Sequence, residues 1–117
     1  MKLTEDQVKE ITVKVHKDLN LTHSNKYPIE FIYIYKNDEH NRFGIDYWST
    51  GYDYRDPEAV GDEINYGEFP EYIISIDDEK GEAFAYHYYT GHIRIKLNEK
   101  GNYEVVGKLY DYSKLGK

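Results

Sequence analysis

The sequence predicts an α+β fold, with one N-terminal amphipathic helix packed on one face of an antiparallel sheet of about six strands. Three observations carry that expectation. A single apolar stripe of helical period occupies the first twenty residues. Behind it comes a series of short runs dense in Ile, Phe and Tyr. Brief polar or glycine turns join most of those runs, and they are too short for the crossovers that parallel strands require.

Thr4-Glu5-Asp6-Gln7 has the form of a capping box, with Thr4 at the N-cap and Gln7 three residues on. Val8, Ile11, Val15 and Leu19 then recur at helical spacing, while Glu5, Lys9, Glu10, Lys14 and Lys17 lie off the stripe. Asp6 suits the start of such a helix, and Lys14 and Lys17 suit its end. The expected helix is 4–19, followed by a connection from Asn20 to Pro28.

Residues 29–36 have strand composition, and 42–50 alternate, with Phe43, Ile45 and Tyr47 on one face. A turn at 37–41 makes these two runs a hairpin. Further strands are expected at 71–77, 82–89, 92–97 and 103–112. Tyr72, Ile74 and Ile76 share one face, as do Phe84, Tyr86 and Tyr88, and Ile93, Ile95 and Leu97. Asp78-Glu79-Lys80-Gly81 is expected to be a solvated turn, and 114–117 a frayed tail. The whole 1–117 stretch reads as a single domain, a length that suits one core.

The chain carries 15 Lys+Arg against 22 Asp+Glu, a formal charge of −7. That charge is concentrated. Residues 53–71 hold Asp53, Asp56, Glu58, Asp62, Glu63, Glu68 and Glu71 against Arg55 alone, so the segment is −6 and the remainder nearly neutral. Pro57, Gly61, Gly67 and Pro70 mark the segment as a loop. Tyr52, Tyr54 and Tyr66 accompany the acids, and Tyr is enriched at binding hot spots. The candidate partner-binding residues are therefore Tyr52, Asp53, Tyr54, Asp56, Glu58, Asp62, Glu63, Tyr66 and Glu68.

The acidic balance disfavours nucleic acid, whose binders replace counterions with a basic face. No apolar run reaches the length of a membrane span, and no signal-peptide layout opens the chain. A cytoplasmic protein without a nucleic-acid or membrane partner is expected, its oligomeric state left open. With no Cys there is no disulfide or thiolate chemistry. GxSxG, Walker A, GxGxxG and HExxH are all missing. His87 and His92 flank one turn, yet two His make a poor zinc site. The expectation is no enzyme, no cofactor and no metal.

Fourteen tyrosines suggest a half-exposed aromatic second face, with Tyr33 and Tyr35 placed opposite Ile32 and Ile34, and with Tyr86, Tyr88 and Tyr89. Such rings are also consistent with a Tyr-lined ligand pocket. A deep cavity lined by Tyr86, Tyr88 and His87 would favour a small ligand or an enzyme. A full sheet packed on one helix would favour a protein partner.

A short, acidic, Cys-free, Tyr-rich α+β domain resembles the immunity proteins of bacterial toxin systems. The run from Phe69-Pro70-Glu71 through Gly81-Glu82 to Thr90-Gly91-His92-Ile93 is similar to the strand–turn–strand portion of one superfamily within that group. The resemblance implies an inhibitor that neutralises a cognate toxin, such as a basic nuclease, by covering a functional surface. Phage-encoded nuclease inhibitors share the same character, and a structural subunit of a larger assembly is a third class.

Overall fold

A computed structural model describes residues 2–21, 28–52, 72–88 and 91–109. The helix α1 spans Glu5–Asp18. Its capping box forms as the sequence implies: the Gln7 amide donates to Thr4 Oγ1 at 3.2 Å, and the Thr4 amide donates to Gln7 Oε1 at 2.8 Å. The helix stops in a Schellman arrangement. Asn20 adopts a positive φ of 55°, its amide reaches Lys17 O, and the Leu21 amide reaches His16 O at 2.8 Å.

Six strands follow: β1 Ile29–Ile34, β2 Tyr47–Tyr52, β3 Ile73–Asp77, β4 Glu82–Tyr88, β5 Gly91–Leu97 and β6 Tyr103–Leu109. They pair in sequence order, every pair antiparallel, into one open sheet. The helix lies across one face of this meander, touching β2, β3, β4 and β6. Val8, Val15, Trp48, Ile74, Ile76, Ala83, Tyr86, Ile95 and Tyr103 make the buried cluster between them. Burying each of the two valines contributes about 1.5–3 kcal/mol.

Residues 42–46 are not strand, contrary to the alternation. Side chains there take over the hydrogen bonds that a ladder would have made. Asn41 Nδ2 donates to Tyr35 O and Ile45 O, and Asn41 Oδ1 accepts from the amides of Phe43 and Gly44. Asp46 Oδ1 accepts from the Lys36 amide at 2.7 Å, and Gly44 supplies a φ of 73°.

A bulge corrects the expected face of β4. Ser75 pairs Ala85, but Ile76 pairs Ala83, so one extra residue enters at Phe84. Ala83 and Tyr86 stay on the helix face. Phe84 turns to the outer face, where its ring meets Phe43 at 4.9 Å. The Ala83 amide is taken up by the Tyr103 hydroxyl at 3.1 Å.

Strand β1 is the reverse of the expectation for Tyr33, whereas Tyr35 just beyond it is exposed. Phe31 and Tyr33 face the helix side against Trp48, at ring distances of 5.7 and 5.0 Å, while Ile32 points outward and is 62% exposed. The reason is Asp78. It is buried rather than a solvated turn residue, and its two oxygens accept four hydrogen bonds. Oδ2 takes the Lys2 amide and the Tyr33 hydroxyl; Oδ1 takes the Leu3 amide and Trp48 Nε1. A Tyr oxygen that reaches a buried carboxylate pulls its strand face inward with it. The ends expected at 110–117, and Tyr89, lie outside the described residues.

Candidate functional site

The acidic segment connects β2 to β3, which are adjacent and antiparallel, with Thr50 opposite Ile74. Its two stems therefore stand side by side on the sheet. Gly51 lets them close: a Cβ there would lie 2.9 Å from the carbonyl oxygen of Tyr72. Tyr52 and Tyr72 both pack edge-on against His16 of α1, at 4.9 and 6.0 Å. Tyr72 in turn stacks on Tyr88 at 4.9 Å and meets Tyr86 edge-on at 5.9 Å. The ring cluster fixes both stems against the helix.

A polar tie lies beside it. Thr12 Oγ1 donates to Val8 O at 2.8 Å and sits 2.7 Å from Thr50 Oγ1. Since the single Thr12 hydroxyl proton is spent on Val8, Thr50 is the donor between the two. Both groups are buried.

Among the nine expected partner-binding residues, Tyr52 alone is described, and its position corrects its role. It is 6% exposed and its hydroxyl titrates above the ordinary Tyr range because burial disfavours the phenolate. Tyr52 holds a stem instead of presenting a ring to solvent. Asp53, Tyr54, Asp56, Glu58, Asp62, Glu63, Tyr66 and Glu68 lie outside the described residues.

His16 and Thr12 are the site residues that the apolar stripe concealed. They fall on the same helical face as Val8 and Val15, at steps of four from Val8, and both are buried. A reading that asked what else shares the stripe's face would have found them.

A second cluster lies on the outer face. Phe43 packs against Phe84, Tyr47 and His92, at 4.9, 5.0 and 5.6 Å. His87 and His92 stand directly opposite each other on β4 and β5, as the turn spacing allows, with their Nδ1 atoms 3.1 Å apart. Together they offer two nitrogens, whereas structural zinc takes four ligands. Among the described residues no group of three or more His, Asp or Glu is placed to hold a metal ion.

Comparison with known family models, curated proteins and solved structures finds no match.

The surface clefts among the described residues include two that bear on the small-ligand reading. One, of about 540 Å³, runs along the outer side of α1 between Lys9, Val13, Lys14 and Lys17. The other, of about 260 Å³, is polar and lies between Lys2, Lys36, Asp46 and Asp77. Tyr86, Tyr88 and His87 line neither. Tyr86 instead contributes to the core, its hydroxyl raised above the ordinary Tyr range by burial and then by Tyr72. No described helix is long and apolar enough to cross a membrane.

Proposed function

We propose that this domain is a protein-binding inhibitor, an immunity protein that neutralises a cognate bacterial toxin through the acidic, Tyr-containing segment 53–71. The supporting observation is the mounting of that segment. Its stems are neighbouring strands of the sheet, clamped by Gly51, Tyr52, Tyr72 and His16. A net charge of −6 is thus carried from a rigid base. Charge of one sign speeds encounter with an oppositely charged cleft, and a base ordered in advance lowers the entropy cost of docking.

A basic nuclease is the partner class that this chemistry suits, because its phosphate-binding cleft is positive. Tyr54 and Tyr66 would supply the desolvated anchors that slow dissociation. The small-ligand reading loses support from the packing of Tyr86 and Tyr88 into the helix–sheet layer, where a Tyr-lined cavity would have needed them free.

The test is capture of the partner from native lysate with the full chain, followed by association kinetics at several salt concentrations. Charge reversal of Asp62 and Glu63 to Lys is expected to slow association about tenfold and to flatten its salt dependence. The partner's own activity should be lost in the wild-type complex. An unchanged on-rate, or a partner that stays active when bound, overturns the reading.

A further inference from the structure

The connection between β1 and β2 folds back over the outer face of the sheet. Its Phe43 lies against Tyr47 of β2, Phe84 of β4 and His92 of β5, and so spans the face. Under this cover Tyr47, Ser75, Ala85 and His92 are all buried. The cover is held at its far end by the paired histidines, whose rings approach to 4.6 Å.

The Nδ1 atoms at 3.1 Å impose a condition on protonation. One nitrogen must carry the proton and the other a lone pair. Two imidazolium rings would set N–H against N–H and charge against charge. A neighbouring positive charge reinforces this. Arg42 of the connection places a positive charge near His92, and its backbone hydrogen-bonds the Tyr47 hydroxyl. From β3, the residue in register with His87 is the apolar Ile73.

We propose that the His87–His92 pair is an acid-sensitive latch that holds the β1–β2 connection on the outer face of the sheet. Neutral, the pair shares a hydrogen bond and leaves an apolar edge for Phe43. Doubly charged, it repels itself and Arg42, draws water, and ejects the Phe43 ring. The strands beneath remain paired, because the main core lies on the opposite face.

Burial, then His87, then Arg42 hold the His92 pKa down to about 4, against an ordinary value of 6.5. The folded chain therefore binds fewer protons than the unfolded one between those values. The latch is fully closed above about pH 6.5 and weakens as pH falls toward about 4. Each proton of difference lowers the closing equilibrium about tenfold per pH unit.

The test is an NMR titration of the full chain from neutral to acid pH. It follows the two histidine rings, the Phe43–His92 contacts and the Val8–Ile74 core contacts. His92 is expected to titrate far below an ordinary His, and the Phe43 contacts to vanish with it while the core contacts persist. Phe43→Ala should raise the His92 midpoint by about one unit, since its removal rehydrates the ring. A wild-type His92 midpoint near that of an ordinary His, Phe43 contacts that survive the titration, or a midpoint unmoved in Phe43→Ala overturns the proposal. Loss of the Phe43 and core contacts in one transition overturns it too, because the pair would then govern the whole fold instead of a latch.

Discussion

The hydroxyl oxygens of Thr12 and Thr50 lie 2.7 Å apart inside the helix–sheet layer, both buried. This joins the middle of α1 to strand β2 by a directed bond, and the Tyr103 amide of β6 makes a second one to Asp18 Oδ2 at the end of the helix, at 3.0 Å. Hydrophobic contact alone would let the helix slide along the sheet. The paired hydroxyls, with the Asp18–Tyr103 bond, set its register.

That arrangement predicts an asymmetric response to substitution. Thr12→Val keeps the side-chain shape but leaves the Thr50 hydroxyl without its acceptor. The expected loss is about 1–3 kcal/mol, the cost of an unsatisfied buried polar group. Thr50→Val should cost less, because Thr12 retains Val8 O. The double variant should recover most of the loss of Thr12→Val. Denaturant unfolding of the three variants checks the cycle, and strict additivity would contradict the pairing.

Asp78 is expected to dominate both pH limits of stability. Burial alone would raise its pKa. The amides of Leu3 and Lys2, then Trp48 and Tyr33, outweigh that and hold the carboxyl below its ordinary 3.8. Its stabilising effect is therefore present above that value and lost as pH falls through the lowered one. The partner behaves oppositely. Burial and the Asp78 charge push the Tyr33 hydroxyl up to about 12, so stability falls as pH rises above 10 toward that value. Asp78→Asn should cost about 2–4 kcal/mol at neutral pH and flatten the acid limb of unfolding. Tyr33→Phe should remove one late-titrating phenol from an ultraviolet titration.

The helix and the strand order were legible because their signals are local. The Thr4–Gln7 box and the Val8–Val15 stripe need nothing beyond one helix, and short turns impose a meander. Asp78 was not legible. Its donors at Lys2 and Leu3 stand 76 and 75 residues away, and in sequence it is one acid among three. Residues 42–46 alternate like a strand, but the amide of Asn41 and the carboxylate of Asp46 offered the backbone a better set of partners. At the candidate site, charge counting located the segment, and strand order located its stems. The inward turn of Tyr52 depends on which sheet face receives the helix, a long-range fact that alternation alone leaves undetermined.

The close approach at the base of the acidic segment gives a last prediction. Gly51→Ala would put a Cβ at 2.9 Å from a backbone carbonyl oxygen, an atom that cannot rotate away as a side chain would. The stems must separate, which disturbs the Tyr52 and Tyr72 contacts with His16. The expected destabilisation is about 1–3 kcal/mol. Gly107→Ala is the control, since a Cβ there meets nothing within 4 Å. It should leave stability within about 0.5 kcal/mol of wild type, even though both glycines sit in strands. Thermal or denaturant unfolding separates the two. Equal effects would mean that strand glycines matter here for backbone freedom alone, and the clamp at the stems would lose its basis.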